Sequence, residues 1–379
     1  MVEVTDVVSL MNTVRSECSA DYQMRVPKVT RDNLSSVLNN VFNDITTSNE
    51  FFTNFVNKVA ITMVKVNMFK NPFRNIFGAP KVPNLGNGVE ELYINPSVDI
   101  GFDMDGTKLL KQYLPDGKVA YYAKNRRGRL PVTIGRAQIM ACANSEDNVI
   151  SLCNAILTSM YSGDEIAEFE MCLHLCADAV QQGFMTTYEV GDINTNGVPK
   201  KLAKSLQNVH DLMIFPSSNF NMYNNMNKKA IDAGEKKCIT WSSQNERVLI
   251  VRADVKNEIN FEVLATLFNM SVVELKANTM FVPTFPTEEY TFTGTDSKTY
   301  KRAPLDVYAI LCDRSTLNIK DALYNVDKFE NASTMELNTY LHHWEYIYLS
   351  AFSNCVAFVK AKPSDTEVSD GTSDTNGDK

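Results

Sequence analysis

Two carboxylates one residue apart, Asp103 and Asp105, sit in Phe102-Asp103-Met104-Asp105-Gly106-Thr107, the sharpest local motif of the chain. Alternate side chains leaving a strand point to the same side, so such a pair can share one site. The chemistry it fits is phosphoryl transfer. The first carboxylate attacks as nucleophile, the second moves a proton, and both help to hold Mg²⁺. That chemistry needs the motif at the end of a buried central strand of a parallel sheet, and such strands are near-continuous apolar runs. The lead-in here, Ser97-Val98-Asp99-Ile100-Gly101-Phe102, alternates instead, and would place Asp99 in the core. It reads as a half-exposed strand, and the motif as a glycine turn on an exposed hairpin.

The Asp-x-Asp-Gly-Thr spacing is the signature of haloacid-dehalogenase-type phosphotransferases, so a Mg²⁺-dependent phosphohydrolase using Asp103 and Asp105 is the enzyme alternative. No βα unit precedes the motif, and no convincing acidic pair for the metal follows it. Other chemical groupings fail on geometry. Cys172 and Cys176 share a helix face, but His174 lies roughly 160–200° around the axis from them, so the three cannot reach one zinc. His342 and His343 point to opposite faces of a strand. No histidine sits beside a serine or cysteine nucleophile motif, so no triad is assigned. No catalytic residue, cofactor site or metal ligand follows from the sequence.

One dense basic cluster remains, Lys124-Asn125-Arg126-Arg127-Gly128-Arg129. Clustered arginines contact phosphates, which makes a nucleic-acid-binding module a third class of function. The chain as a whole opposes it: 37 Lys and Arg against 45 Asp and Glu give a net charge of −8, and duplex binding needs concentrated positive charge. Arg126, Arg127 and Arg129 are therefore expected to meet carboxylates of an adjacent copy.

The elements that must position these residues follow from periodicity. The apolar fraction of 44% excludes a disordered chain, and 379 residues fit two or three compact units. Eight scattered cysteines without a Cys-x-x-Cys exclude a disulfide framework. The opening MVEVTDVV lacks a signal peptide's basic start. The longest uncharged apolar stretch, Tyr346 to Val359, falls short of the about 18 residues that span a membrane.

Leu34, Val37, Leu38, Val41 and Ile45 recur at helical spacing, and Thr47 with Glu50 forms a capping-box pattern before Phe51. Prolines and glycines break the pattern from Asn71 to Gly88, which predicts an extended arm. Pro115-Asp116-Gly117 between Leu109–Leu114 and Lys118–Ala123 predicts a hairpin turn, with Gly117 supplying positive φ. This stretch has little core of its own, so the hairpin is expected to project. Two helices follow, one along Val149–Met160, the other opened by Ser162 and Glu165 and closed at Gly183. Strands are expected at Thr187–Val190, Arg247–Val251 and Leu305–Leu311, with helices at Pro199–Met213 and Phe261–Phe268. Trp344–Val359 reads as one long strand bent at Ser353-Asn354. The acidic stretch from Lys362 reads as disordered. The class is α+β.

Taken in order, these pieces resemble the major capsid proteins of tailed bacteriophages with the Hong Kong 97-type fold, in particular those of small short-tailed phages of the Salasmaviridae or Picovirinae type. Carrying the resemblance are Asn71-Pro72-Phe73 with Glu90-Glu91-Leu92-Tyr93, Asp164–Gln182 followed by Gly183-Phe184-Met185-Thr186-Thr187, and Val263–Met270. Trp344-Glu345-Tyr346 with Ser350, Phe352, Asn354 and Val356–Val359 completes it.

The resemblance implies an N-terminal arm over 1–88, an extended loop (E-loop) over 89–133, and a peripheral domain over 134–187 with a long spine helix. It places an axial domain over 188–335, a return strand over 336–361 and the acidic tail over 362–379. It further implies a structural protein that is not an enzyme, needs no cofactor, and assembles with itself into pentameric and hexameric capsomers in the host bacterial cytoplasm. A scaffolding protein and a portal would be its other partners. Double-stranded DNA would touch it only loosely, without a membrane. Some relatives carry an immunoglobulin-like domain after the last strand, where this chain has a short acidic tail. On the E-loop, Asp116, Gly117, Arg126, Arg127 and Arg129 become the candidates for contact between subunits.

Overall fold

A computed structural model describes residues 7–30, 68–78, 88–101, 104, 111–135, 146–256, 278–293, 298–331, 336–362 and 364–367, with scattered positions between 33 and 54. Asp103 and Asp105, the helix expected at Phe261–Phe268 and most of the Leu34–Ile45 helix lie outside these residues.

The chain forms two compact units. The first takes 1–71, 127–168 and 323–344. Helices α1 (Val7–Glu17) and α2 (Ala20–Arg25) open it. Ser19 caps α2 by accepting from the Tyr22 amide. Glu50 binds Ser19 rather than closing a box at Thr47, whose amide donates to Asp44 at 3.1 Å. Within the same unit Asn71 donates to Glu165 and Glu168. His343 is buried against Asp164 at 2.7 Å, with the Tyr324 ring edge-on to it at 4.8 Å.

The second unit takes 72–126, 169–322 and 345–379. Helix α3 (Pro72–Phe77) sits in the arm that was expected to be wholly extended, and it buries Phe73 against Phe169 at 5.7 Å. Strands β1 (Gly88–Ile94) and β2 (Gly117–Ala123) form an antiparallel pair. After β3 (Arg126–Gly135) comes α4 (Glu146–Gln181), one helix of 36 residues where two were expected. Ser162 caps nothing in it. Gly163 lies inside the helix where a side chain would press on Leu130 of β3, 3.1 Å from the Cβ position. The helix stops at Gly183, whose φ of +77° closes it as expected.

The remaining elements include the five strands of a mixed sheet. They are β4 (Thr186–Glu189), α5 (Val198–Leu212), the short helices α6 (Met222–Met226) and α7 (Lys228–Asp232), β5 (Arg247–Arg252), α8 (Ala253–Lys256), β6 (Thr279–Val282), β7 (Tyr290–Thr293), β8 (Thr299–Arg302), β9 (Val307–Asp313), β10 (Leu317–Asn331), β11 (Glu336–Leu349), β12 (Cys355–Val359) and β13 (Asp365–Glu367). The sheet order is β4-β12-β9-β5-β6, parallel at its two outer pairs and antiparallel within. Val248, Ile250, Ile310, Cys312 and Ala357 face a core shared with Cys172, Cys176 and Val180 of α4. Leu249, Val251, Leu311, Val356 and Phe358 face one shared with Leu202, Leu206 and Val209 of α5. Helices on both faces explain why β5, β9 and β12 are buried along almost their whole length.

Three further expectations differ from the structure here. Trp344–Val359 is two strands in different sheets, with β11 between β10 and β3 and β12 in the five-stranded sheet; the chain turns at Ser350–Asn354. Residues 95–101 form no strand, and Val98 is 79% exposed, so nothing packs the alternating pattern. The tail is not structureless from Lys362, because β13 pairs with β8 as the edge of a β13-β8-β7 sheet.

Candidate assembly surface

The hairpin lies within the second unit, and its two faces have opposite character. Register pairs Leu92 with Val119, Glu90 with Tyr121 and Ile94 with Gly117. The expected arm Leu109–Leu114 is therefore not the partner of β2. β1 is, and the connection is the long stretch 95–116. Gly117 opens β2 and has no positive φ, because the chain turns before it and not at it.

The inner face, Val89, Glu91 and Tyr93 with Lys118, Ala120 and Tyr122, is fastened to the same unit. Tyr122 stacks on Tyr348 at 4.0 Å, accepts from the Ala351 amide at 2.9 Å and donates to Glu91 at 2.9 Å. Burial pushes its phenol well above the usual range. Ser350 donates to Glu91 at 2.7 Å, and Tyr93 stacks on Phe352 at 5.3 Å. Lys118 reaches Glu235 at 2.6 Å and Asp116 at 3.5 Å. The Asn95 side chain donates to Asp116 and, with the help of Lys118, holds that carboxyl below its usual range. The hairpin is thus docked, and does not project free of its own subunit as expected.

The outer face is open and, apart from Glu90, which accepts from the Tyr121 hydroxyl at 3.3 Å, apolar. Leu92 is 63% exposed and Tyr121 75%, beside exposed Ile94 and Val119. The connecting stretch adds exposed Val98, Ile100, Met104, Tyr113 and Leu114. Large apolar side chains exposed along one face of a strand pair mark a partner contact.

The basic cluster splits. Arg126 is buried and donates to Glu345, a carboxylate without exposed surface that also binds Arg74. Arg74 in turn meets Asp321 at 2.8 Å. This corrects the expectation that Arg126 faces a neighbour: a buried carboxylate draws the nearest guanidinium inward. Arg127 and Arg129 are exposed, over the Trp344 ring at 5.8 Å and the Tyr340 ring at 5.0 Å respectively. Asp116 and Gly117 lie at the hairpin's loop end. Cys172 and Cys176 point into the core while His174 faces solvent.

The sequence reading missed the outer-face residues Leu92, Ile94, Val119 and Tyr121. The alternation of Val89–Ile94 carried that signal. It also missed a pocket of about 770 Å³ in the second unit. Tyr93, Trp241 and Phe352 line it with Glu91, Glu246 and Asp313. No local pattern could reveal it, since its walls come from five separate stretches of chain.

The fold is that of the Hong Kong 97-type phage capsid proteins. A chain in the capsid structure of Staphylococcus phage Andhra is similar in fold, with a TM-score of 0.61 at 12% identity, over 79% of this chain and 87% of that one. The chain belongs to the Phi29-like phage major capsid protein family, which matches residues 11–359, and is a shell-forming protein of the virion. It is 23% identical to the major capsid protein of Bacillus phage PZA, over 96% of this chain and 76% of that one. It is also 23% identical to that of Streptococcus phage Cp-1, over 92% of each. None of the described helices is long and apolar enough to cross a membrane.

Proposed function

We propose that copies of this chain meet through the outer face of the β1–β2 hairpin, form pentameric and hexameric capsomers, and close an icosahedral or prolate shell around double-stranded DNA. One observation carries the reading. The hairpin's inner face is fixed by stacking and hydrogen bonds, while its outer face holds Leu92, Ile94, Val119 and Tyr121 in water. A head-to-tail contact repeated around a ring covers such a face in every copy. On this reading 89–133 is the E-loop, with exposed Arg127 and Arg129 reaching carboxylates of an adjacent copy.

The shell calls on no side chain for covalent chemistry. The approach to the Asp103 and Asp105 motif supports this, because residues 95–101 form no buried strand and Asp99 is used locally, accepting from the Gly101 amide at 2.9 Å. A chain of net charge −8 holds DNA loosely, which suits packing and release. A scaffolding protein and a portal complete the assembly.

Leu92→Asp with Val119→Asp tests the reading. The expected result is a folded subunit that sediments as a monomer and gives no shells in negative-stain micrographs. Normal shells from this variant overturn the assignment of the face.

A further inference from the structure

The pocket beneath the hairpin is acidic as well as aromatic. Glu91, Glu246 and Asp313 line it against a single cation, Arg314, whose side chain is committed to Asn278 at 2.7 Å. Among the described residues none of the three carboxylates is ion-paired. Glu91 accepts only from the Tyr122 and Ser350 hydroxyls. Asp313 is only 7% exposed; its Oδ2 accepts from the Asn354 amide at 2.9 Å, and its Oδ1 finds no hydrogen-bond partner. The Asp313 carboxylate, beside the Ser242 hydroxyl, adds its charge to the acidic wall of the pocket. The aromatic wall completes the selection. Phe352 stacks on Tyr93 at 5.3 Å, and Trp241 stands at the rim, 53% exposed. Carboxylates beside aromatic faces favour an ammonium or guanidinium group.

A free small amine would fill the acidic end and leave the apolar rim of Trp241 and Ile94 wet. A protein side chain brings a surface that covers both. The complement is on the same chain. A second groove, about 500 Å³, is lined by Lys200, Lys201 and Lys204 of α5 with Gly197, Ser205 and Asn208, and no carboxylate lines it. The three lysines are exposed, and none is ion-paired among the described residues.

We infer that the acidic aromatic pocket of one copy receives a lysine side chain from helix α5 of a second copy. Donor and acceptor are different surfaces, so the contact is heterologous and propagates around a ring. The inference rests on the shell reading above, and adds to it a specific pair of surfaces, the acidic one adjoining the hairpin face at Ile94.

Shells assembled from a mixture of ¹⁴N- and ¹⁵N-labelled full-length chain, treated with a zero-length carbodiimide and digested for mass spectrometry, provide the first test. The expected product is a mixed-isotope peptide joining Lys200, Lys201 or Lys204 to Glu246 or Glu91. Charge reversal provides the second, on exposed residues so that folding is spared. Lys200→Glu with Lys204→Glu, and separately Glu246→Lys, should each lower the yield of shells at least ten-fold, and combining all three should restore most of it. Shells that form normally in both reversal variants, or whose α5 lysines join only other carboxylates, overturn this contact while leaving the shell reading standing. A wild-type chain that forms no shells overturns both.

Discussion

Arg126 donates to Glu345, and the carboxylate it meets has no exposed surface. The most basic stretch of the sequence thus spends one of its arginines inside its own subunit. Glu345 is shared with Arg74, which also holds Asp321, so two guanidiniums and two carboxylates form one partly buried network. Removing one partner of such a network leaves charge uncompensated, at a cost of roughly 3–5 kcal/mol. Glu345→Gln is therefore expected to lower the urea midpoint of the subunit sharply. Arg126→Glu should prevent soluble folding, whereas Arg127→Glu leaves the fold intact and affects assembly alone. Equal urea midpoints for wild type and Glu345→Gln contradict the network.

Gly117, expected to supply a positive-φ turn, has room for a side chain, whereas Gly163 has none. A side chain on Gly117 would meet Leu92 Cδ1 at 3.9 Å and the Tyr93 carbonyl at 4.0 Å, ordinary contacts on a strand. Gly117→Val is expected to change stability by less than about 0.5 kcal/mol. At Gly163 a Cβ would already press on Leu130, so Gly163→Val should destabilise by about 1–3 kcal/mol through overpacking. Thermal unfolding of the two variants side by side checks both values, and the opposite order refutes the argument.

What could be read from the sequence was what local spacing controls. The spacing of Ile166, Phe169, Leu173, Cys176 and Val180 marks a helix face, which the structure turns to the core except at Ile166, 42% exposed, and Arg247–Val251 marks a strand, because burial on one or two sides leaves a period in the residues themselves. Pairing partners left no such trace. β2 chose β1 across a connection of more than twenty residues over the nearer Leu109–Leu114, because β1 alone brings Tyr93 and Glu91 onto Phe352 and Ser350. The acidic pocket depends on that choice and left no local trace, whereas the outer hairpin face left one in the alternation of Val89–Ile94.

Two buried groups in the second unit oppose each other in acid. Burial, then the charge of Arg247, lowers His210 from 6.5 to about 4, so the folded state holds it neutral and loses stability as pH falls from 6.5 toward 4. Burial raises Asp313 from 3.8 to about 6, so the folded state keeps its proton longer and gains stability over nearly the same range. The Asp313 contribution is on the order of 2–3 kcal/mol. Asp313→Asn should make the subunit more stable at pH 8 and leave a profile that falls steadily below pH 6.5. His210→Gln should leave one that rises toward pH 4. Melting temperatures from pH 4 to 8 show the two slopes, and parallel profiles for both variants contradict the assignment.

The acidic tail is tied to the end of α4 through one arginine. Asp365 accepts from Arg302 Nε at 2.7 Å and Nη2 at 3.0 Å, and the same guanidinium donates through Nη1 to the Gln181 carbonyl at 2.9 Å and lies over Phe292 at 4.9 Å. A two-pronged carboxylate contact holds the guanidinium in the plane it needs to cap the helix. Truncation after Ala361 removes β13 and this carboxylate but leaves the Gln181 and Phe292 contacts, so the loss should be about 1–2 kcal/mol and not an unfolding. Asp365→Asn should show part of that loss, and high salt should shrink it. Arg302 holds the Asp365 carboxyl below its ordinary 3.8, so the stabilisation is present above that pH and disappears as the solution is made more acid. A truncated chain with an unchanged urea midpoint at pH 7 and low salt would show that β13 adds nothing to the fold.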